Sequence, residues 1–292
     1  MNKYYIKIIL CTIFSLLAFA GNSVLCRLAL GENTIDAASF TVIRLLSGII
    51  VLTIATTITR KTSEVNSKGS WLAASMLFFY AVAFSYGYIS LDTGTGALIL
   101  FGAVQITMII VSVFSGNRLH YSEWLGLFIA FSGFVYLIIP GLTTPSLMGF
   151  ILMTFSGMAW GFYTVVGRSS TQPLNDTAYN FLRTSPFVLV LLIFTLQDSN
   201  ISLEGILLAA LSGAIASGVG YSVWYIALGG LSVTQAAVVQ LFVPIIAAMG
   251  GVIFTNELIT LRLLESSALV LGGVLTVILG RNYSVSRASR KI

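Results

Sequence analysis

Ten apolar runs, parted by short charged or turn-rich breaks, leave this chain little to fold into except a stack of membrane-crossing helices. They span Ile6 to Cys26, Ala37 to Ile58, Trp71 to Ile89, Gly94 to Phe114, Trp124 to Ile139, Leu147 to Val166, Thr177 to Leu196, Leu203 to Leu228, Val233 to Phe254 and Thr260 to Leu279. From Val233 to Phe254 no residue is charged. About 22 helical residues at 1.5 Å each exceed the roughly 30 Å hydrocarbon core of a bilayer. Only 9% of the 292 residues are charged and 57% are apolar, where a soluble domain carries about 25% charge. The expected fold class is an all-α integral membrane protein of ten transmembrane helices, with connections too short for a soluble domain.

The first run begins like a secretory signal, with Lys3 and Lys7 ahead of apolar residues that reach Ala18-Phe19-Ala20 before Gly21. It continues through Val24 and Leu25, and the repeat described below uses it as a first helix, so it is expected to remain uncleaved. Cys11 and Cys26 share this helix about 22 Å apart, beyond disulfide reach. With the N-terminus inside, the inner segments hold Lys3, Lys7, Arg60, Lys61, Lys68, Arg118, Arg168, Arg281, Arg287, Arg290 and Lys291, and the outer ones only Arg27 and Arg262. Both termini are therefore expected in the cytoplasm. This asymmetry accounts for the net charge of +5 without a nucleic-acid partner; the lipid bilayer is the partner expected.

Sliding the chain along itself by roughly 139 positions brings Arg44 onto Arg183, Tyr86 onto Tyr225, Thr95 onto Thr234, Asn117 onto Asn256, Leu119 onto Leu258 and Gly133 onto Gly272. At a slightly different shift, Phe19 through Arg27 lies against Trp160 through Arg168. Residues 1–140 and 141–292 thus read as two five-helix units. An odd number of crossings makes the second unit enter the membrane from the opposite side. Inverted repeats of this kind belong to secondary transporters, whose site lies between the repeats near the midplane.

The residues also resemble those of the EamA-type drug/metabolite transporter superfamily along nearly the whole chain. The resemblance rests on Ala20-Gly21-Asn22 with Arg27-Leu28-Ala29-Leu30, Phe40 through Arg44, Gly94-Thr95-Gly96-Ala97-Leu98-Ile99, Met158-Ala159-Trp160-Gly161 with Gly167-Arg168, and Leu231 through Glu257. No one of these is specific; their order across ten spans is. It implies a ten-helix carrier in a bacterial inner membrane, often an exporter of amino acids or related metabolites. Phe19 stands where many relatives carry Trp, whereas Trp160 keeps the aromatic in the second half.

Three groups of residues could carry the chemistry. Arg44 and Arg183 lie about 10 Å inside their spans, where charge is expensive and usually functional. Either arginine could take a substrate carboxylate in its planar fork or cap helix-end carbonyls and snorkel to an interface; both readings stand, with structure or gating favoured. Trp160, Tyr163, Tyr225 and Tyr86 form an aromatic set suited to an apolar pocket, interface belts being the alternative. Tyr4, Tyr5 and Tyr283 are assigned to such belts. Asn22, Gln105, Asn180, Gln235 and Gln240 are uncharged polar residues inside spans, of which Asn22, Gln105 and Gln240 are the substrate-binding candidates. Pro244 removes the hydrogen bond to the Gln240 carbonyl and Pro186 the one to Leu182, which makes both prolines hinge candidates.

No Asp or Glu lies deep in any span, so a buried carboxylate as proton carrier is disfavoured. With a single His, no metal cluster, phosphate-cradling loop or Ser-His-acid set can be assembled, and neither enzyme activity, a metal nor a cofactor is expected. The function expected is alternating-access transport of a small metabolite by a monomer, with amino-acid export foremost and the outward direction implied by the family resemblance alone. Drug export, uptake of nucleosides or cofactors, and a membrane scaffold are the alternatives.

Overall fold

The computed structural model describes residues 3–59, 68–116, 120–139, 144–167, 170–195, 200–231 and 233–289. Arg60, Lys61, Arg118, Arg168, Arg290 and Lys291, weighed above for orientation, lie outside these residues, as do Asn117 and Leu119 of the repeat and the side chains from Arg281 onward, Tyr283 among them. The described chain is helical almost throughout: α1 (Lys3–Gly31), α2 (Ala37–Thr59), α3 (Trp71–Tyr88), α4 (Thr93–Phe114), α5 (Tyr121–Ile138), α6 (Leu147–Gly167), α7 (Pro173–Arg183), α8 (Ser185–Thr195), α9 (Leu203–Leu211), α10 (Gly220–Leu228), α11 (Val233–Gln240), α12 (Phe242–Phe254) and α13 (Leu261–Ser289). Among the described residues, nine helical stretches are long and apolar enough to cross a membrane. The protein is an all-α integral membrane protein.

Three expected spans are not plain α-helices, and each interruption has a local cause. The seventh divides at Thr184 between α7 and α8. Pro186 has no N–H to give the Leu182 carbonyl, which instead accepts the Ser185 hydroxyl at 2.6 Å. The ninth divides at Leu241, three residues before Pro244, with the Leu241 N–H turning back to the Val238 carbonyl. The eighth runs through a π-helical turn, Ser212–Val219, between α9 and α10. That turn carries Gly213 and Gly218, and α10 opens on Gly220.

The path of the chain is fixed by contacts at the two membrane faces. At one face, the bridge between Ile35 and Ile201 ties the α1–α2 connection to the segment before α9. At the other, Gly69 donates to Asp176 and Ser70 to Asn180, tying the start of α3 to α7. α7 therefore lies at the second face, and α8 leads the chain from there toward the first. α7 is polar on one side, with Asn175, Asp176, Asn180 and Arg183 in 11 residues, and such a helix rests at an interface with its apolar face inward.

Packing is close where glycine permits. A Cβ on Gly126 of α5 would stand 2.5 Å from the Gly273 carbonyl of α13, and one on Gly273 2.6 Å from that of Gly126. The two backbones touch, as small residues allow in membrane helices. α1 packs against α9, the π-turn, α10 and α12, while α6 packs against α3 and α4. Leu10, Leu17, Phe128, Phe131 and Ile253 face outward, where acyl chains solvate them. Tyr4 and Tyr5, on the first turns of α1, are exposed as a belt position requires.

Candidate functional site

A cavity of about 360 Å³ lies among α4, α6, α10 and α11. Gln105 and Met108 enter it from α4, Trp160 and Thr164 from α6, Tyr221, Trp224 and Tyr225 from α10, and Ala236, Ala237 and Gln240 from α11. It reaches the connections after α6 and α10 through Gly167, Ser170, Gly229 and Leu231. The cavity thus extends to the face on which α1 begins and α13 ends. Among the described residues its lining combines aromatic surface with two amides and contains no charged side chain. A small amphiphile fits such a wall: rings and methylenes on the aromatics, one or two hydrogen-bonding ends on the amides.

Phe19 organises the deep end. Its ring lies 5.8 Å from Tyr221, 5.7 Å from Trp224 and 6.5 Å from Trp160, edge to face in each case. Trp160 also packs on Tyr221 at 4.6 Å and Tyr80 at 4.8 Å. Beyond this wall a void of about 10 Å³ is lined by Asn22, Phe84, Leu100 and Phe101, together with Phe19, Tyr80, Trp160 and Tyr221.

A buried polar network adjoins that void. Arg44 is 1% exposed. It donates to the Tyr80 hydroxyl at 2.9 Å and, at 3.4 Å, to the Tyr221 hydroxyl and to Ser217 on the π-turn. Its guanidinium also lies 4.7 Å from the centre of the Phe84 ring. Asn22 donates to Tyr80 at 3.3 Å and accepts the Ser212 hydroxyl at 2.6 Å. The wide turn gives these contacts their geometry: a Cβ on Gly213 would stand 1.9 Å from the Arg44 carbonyl oxygen, so only glycine lets α2 approach this closely. π-Turns of this kind recur at functional sites.

The opposite face is closed by charge. Arg27, near the end of α1, pairs with Glu257 at 3.2 Å and Asp92 at 3.5 Å and donates to the Tyr88 carbonyl at 3.2 Å. Both Glu257 oxygens accept the Thr93 N–H, at 2.8 and 3.0 Å, and the Thr93 hydroxyl adds a third contact at 3.0 Å. One carboxylate therefore ties α1, the start of α4 and the end of α12 together.

Of the seven substrate-binding candidates, four line the cavity: Gln105, Trp160, Tyr225 and Gln240. Tyr163 does not. It is 1% exposed and stacks against Trp160 at 5.2 Å. Asn22 belongs to the deeper void and the Arg44 network. Tyr86 lies in a separate cleft with Asp36 and Thr195 at the closed face, because its place near the end of α3 and that of Tyr225 near the end of α10 fall on opposite faces. Arg183 does not share the surroundings of Arg44. It donates to the Lys68 carbonyl and lies over the Trp71 ring at 5.5 Å, since α7 lies beside the connection into α3. Asn180 is likewise bound to that connection, and Gln235 is exposed. Pro244 is buried at the start of α12 and Pro186 is exposed. Tyr80, Ser212 and Ser217 join the network without having stood out in the sequence, Tyr80 with no local signal and the two serines with one. The glycine-rich stretch from Ser212 to Gly220 was the available signal.

Fold and cavity together define a polytopic membrane protein built around a solute-sized chamber, open toward one face and barred at the other. The EamA-like transporter family profile matches residues 147–279. An uncharacterized protein of Pseudomonas aeruginosa is 44% identical over 285 residues, with 98% of each chain covered. An uncharacterized transporter of Archaeoglobus fulgidus is 29% identical over 205 residues, covering 68% of this chain and 72% of its own. The uncharacterized transporter YoaV of Bacillus subtilis is 20% identical over 257 residues, covering 84% and 88%. The crystal structure of another protein superposes with a TM-score of 0.61 at 16% identity, covering 91% of this chain and 98% of that one, a likeness of fold. The chain belongs to the EamA-like transporter family and is a membrane transporter.

Proposed function

We propose that this protein is an alternating-access carrier of small amphiphilic metabolites, amino acids foremost, and that it moves them out of a bacterial cell across the inner membrane. The observation that carries the reading is the pairing of one chamber with one closure: solute-sized space at the face bearing the chain ends, and the Arg27–Glu257–Thr93 knot at the other. With both ends in the cytoplasm, as the basic residues of the connections favour, this is the inward-open state of a monomer. Residues 1–140 and 141–292 act as inverted halves. Their packing supports this: α1 meets the eighth and ninth crossings as α6 meets the third and fourth. The small void adds to it, since Phe19 and Phe101 stand there where the repeat places Trp160 and Gln240 in the open chamber. The void is then the collapsed counterpart of the chamber, and transport exchanges the two. Gln105 and Gln240 hold the polar ends of the cargo while Trp160 and Tyr225 cover its apolar body.

Counterflow in proteoliposomes tests the proposal. Liposomes preloaded with a mixture of the twenty amino acids should accumulate at least one labelled amino acid saturably, and preloading should accelerate its entry. Linear uptake, or none for any amino acid, refutes the amino-acid assignment.

A further inference from the structure

Arg44 is the one charge buried at the centre of the bundle among the described residues, and its compensation is incomplete. Its partners are three hydroxyls and the faces of two rings, and the described ion pairs all involve Arg27 instead. Its Nη1 is buried with no hydrogen-bond partner. A guanidinium taken out of water without an opposite charge is strongly destabilising unless something else supplies that charge. Structural arginines in helix bundles normally spend their donors on carbonyls or carboxylates, as Arg27 and Arg183 do here.

The position adds a second argument. The hydroxyls of Tyr80 and Tyr221 lie between Arg44 and the void, and Trp160 and Tyr221 line both void and chamber. The void continues the chamber toward the closed face, where the Phe84 ring meets Tyr88 at 4.8 Å and the Tyr88 carbonyl accepts Arg27. A solute crossing from chamber to closure through the void meets Tyr80 and Tyr221, whose hydroxyls Arg44 holds. A site of about 10 Å³ holds one water-sized group, so a larger group enters when the Tyr221 and Trp160 rings turn aside.

We propose that Arg44 is an anion subsite on the transport route, and that it takes the carboxylate of the cargo in the planar fork of its guanidinium once the Trp160–Tyr221 wall opens. This rests on the carrier reading and narrows it to cargo bearing one carboxylate. The carboxylate supplies the missing charge and engages Nη1, while the Tyr80 and Tyr221 hydroxyls, released from Arg44, donate to the same oxygens. Free chloride is another monoanion small enough to enter.

The test is thermal unfolding of the purified full-length protein against benzoate, benzamide and sodium chloride, in a sodium sulfate background. Benzoate should stabilise saturably, with an apparent affinity about ten- to hundredfold above that of benzamide, the range of a charge-assisted hydrogen bond. Arg44→Gln should abolish the difference, and Arg44→Lys, which keeps the charge without the fork, should retain part of it. If Arg44→Gln does not fold, the Lys variant and the wild-type benzoate-to-benzamide ratio decide. Equal affinities, no stabilisation by benzoate, or an unchanged ratio in both variants overturns the subsite. Stabilisation by chloride without benzoate overturns the carboxylate assignment. Counterflow on the same preparation separates the two claims: a benzoate preference without flux of any amino acid sinks the amino-acid assignment alone, and flux without the preference sinks the subsite alone.

Discussion

Glu257→Gln should loosen the closed face while leaving its shape almost unchanged. In the native protein the Glu257 carboxylate is 12% exposed and Arg27 22%, so their pairing is only partly screened. Gln keeps one carbonyl oxygen for the Thr93 N–H. It loses the charge that strengthens the Arg27 contact at 3.2 Å and one of the two oxygens that hold Thr93. Hydrogen bonds to charged groups contribute about 1.5–3 kcal/mol each. The substitution should therefore shift the closed-to-open balance by about 2 kcal/mol, roughly 30-fold. Cys26 is a native reporter: it is 0% exposed and adjoins Arg27 in α1. In a Cys11→Ser background, an impermeant maleimide applied at the closed face should label Cys26 about 30-fold faster in the Glu257→Gln protein, because labelling then follows the open population. An unchanged labelling rate together with a lowered melting temperature would mean that the pair only braces the fold, and the gating argument fails.

Three further outcomes follow from the same geometry. Gln240→Ala should weaken cargo binding up to about tenfold, the share of one neutral hydrogen bond, and Trp160→Ala more, through lost stacking; binding unchanged in both variants removes them from the site. Gly213→Ala should destabilise by about 1–3 kcal/mol or more, since its Cβ would meet the Arg44 carbonyl, whereas Gly21→Ala, with nothing within 4 Å, should be neutral or slightly stabilising; parallel melting curves measure both. Pro244→Ala restores an N–H to the Gln240 carbonyl and should slow turnover with binding intact, because the break at Leu241 is where the ninth crossing bends; equal losses of rate and affinity would argue for a site effect in place of a hinge.

The sequence by itself settled the class of molecule. Long uncharged runs admit only helices in lipid, and the breaks between the runs put most helix ends within a few residues of where they lie. Trp160, Gln105 and Gln240 could be found because polar or aromatic groups inside such runs need protein or water beside them. The sequence treated Arg44 and Arg183 as equals, however, and tertiary structure separated them. The same spacing places one arginine among Tyr80, Tyr221 and Ser217, and the other at a polar interfacial helix beside Lys68. Tyr86 and Tyr225 align in the repeat but fall near opposite faces, so a chamber open toward one face reaches only Tyr225. Ser217 came within reach of Arg44 on the π-turn, a departure of one helix whose effect is felt on another. Helix periodicity records which residues share a face; only the packing of one helix on the next decides what that face meets.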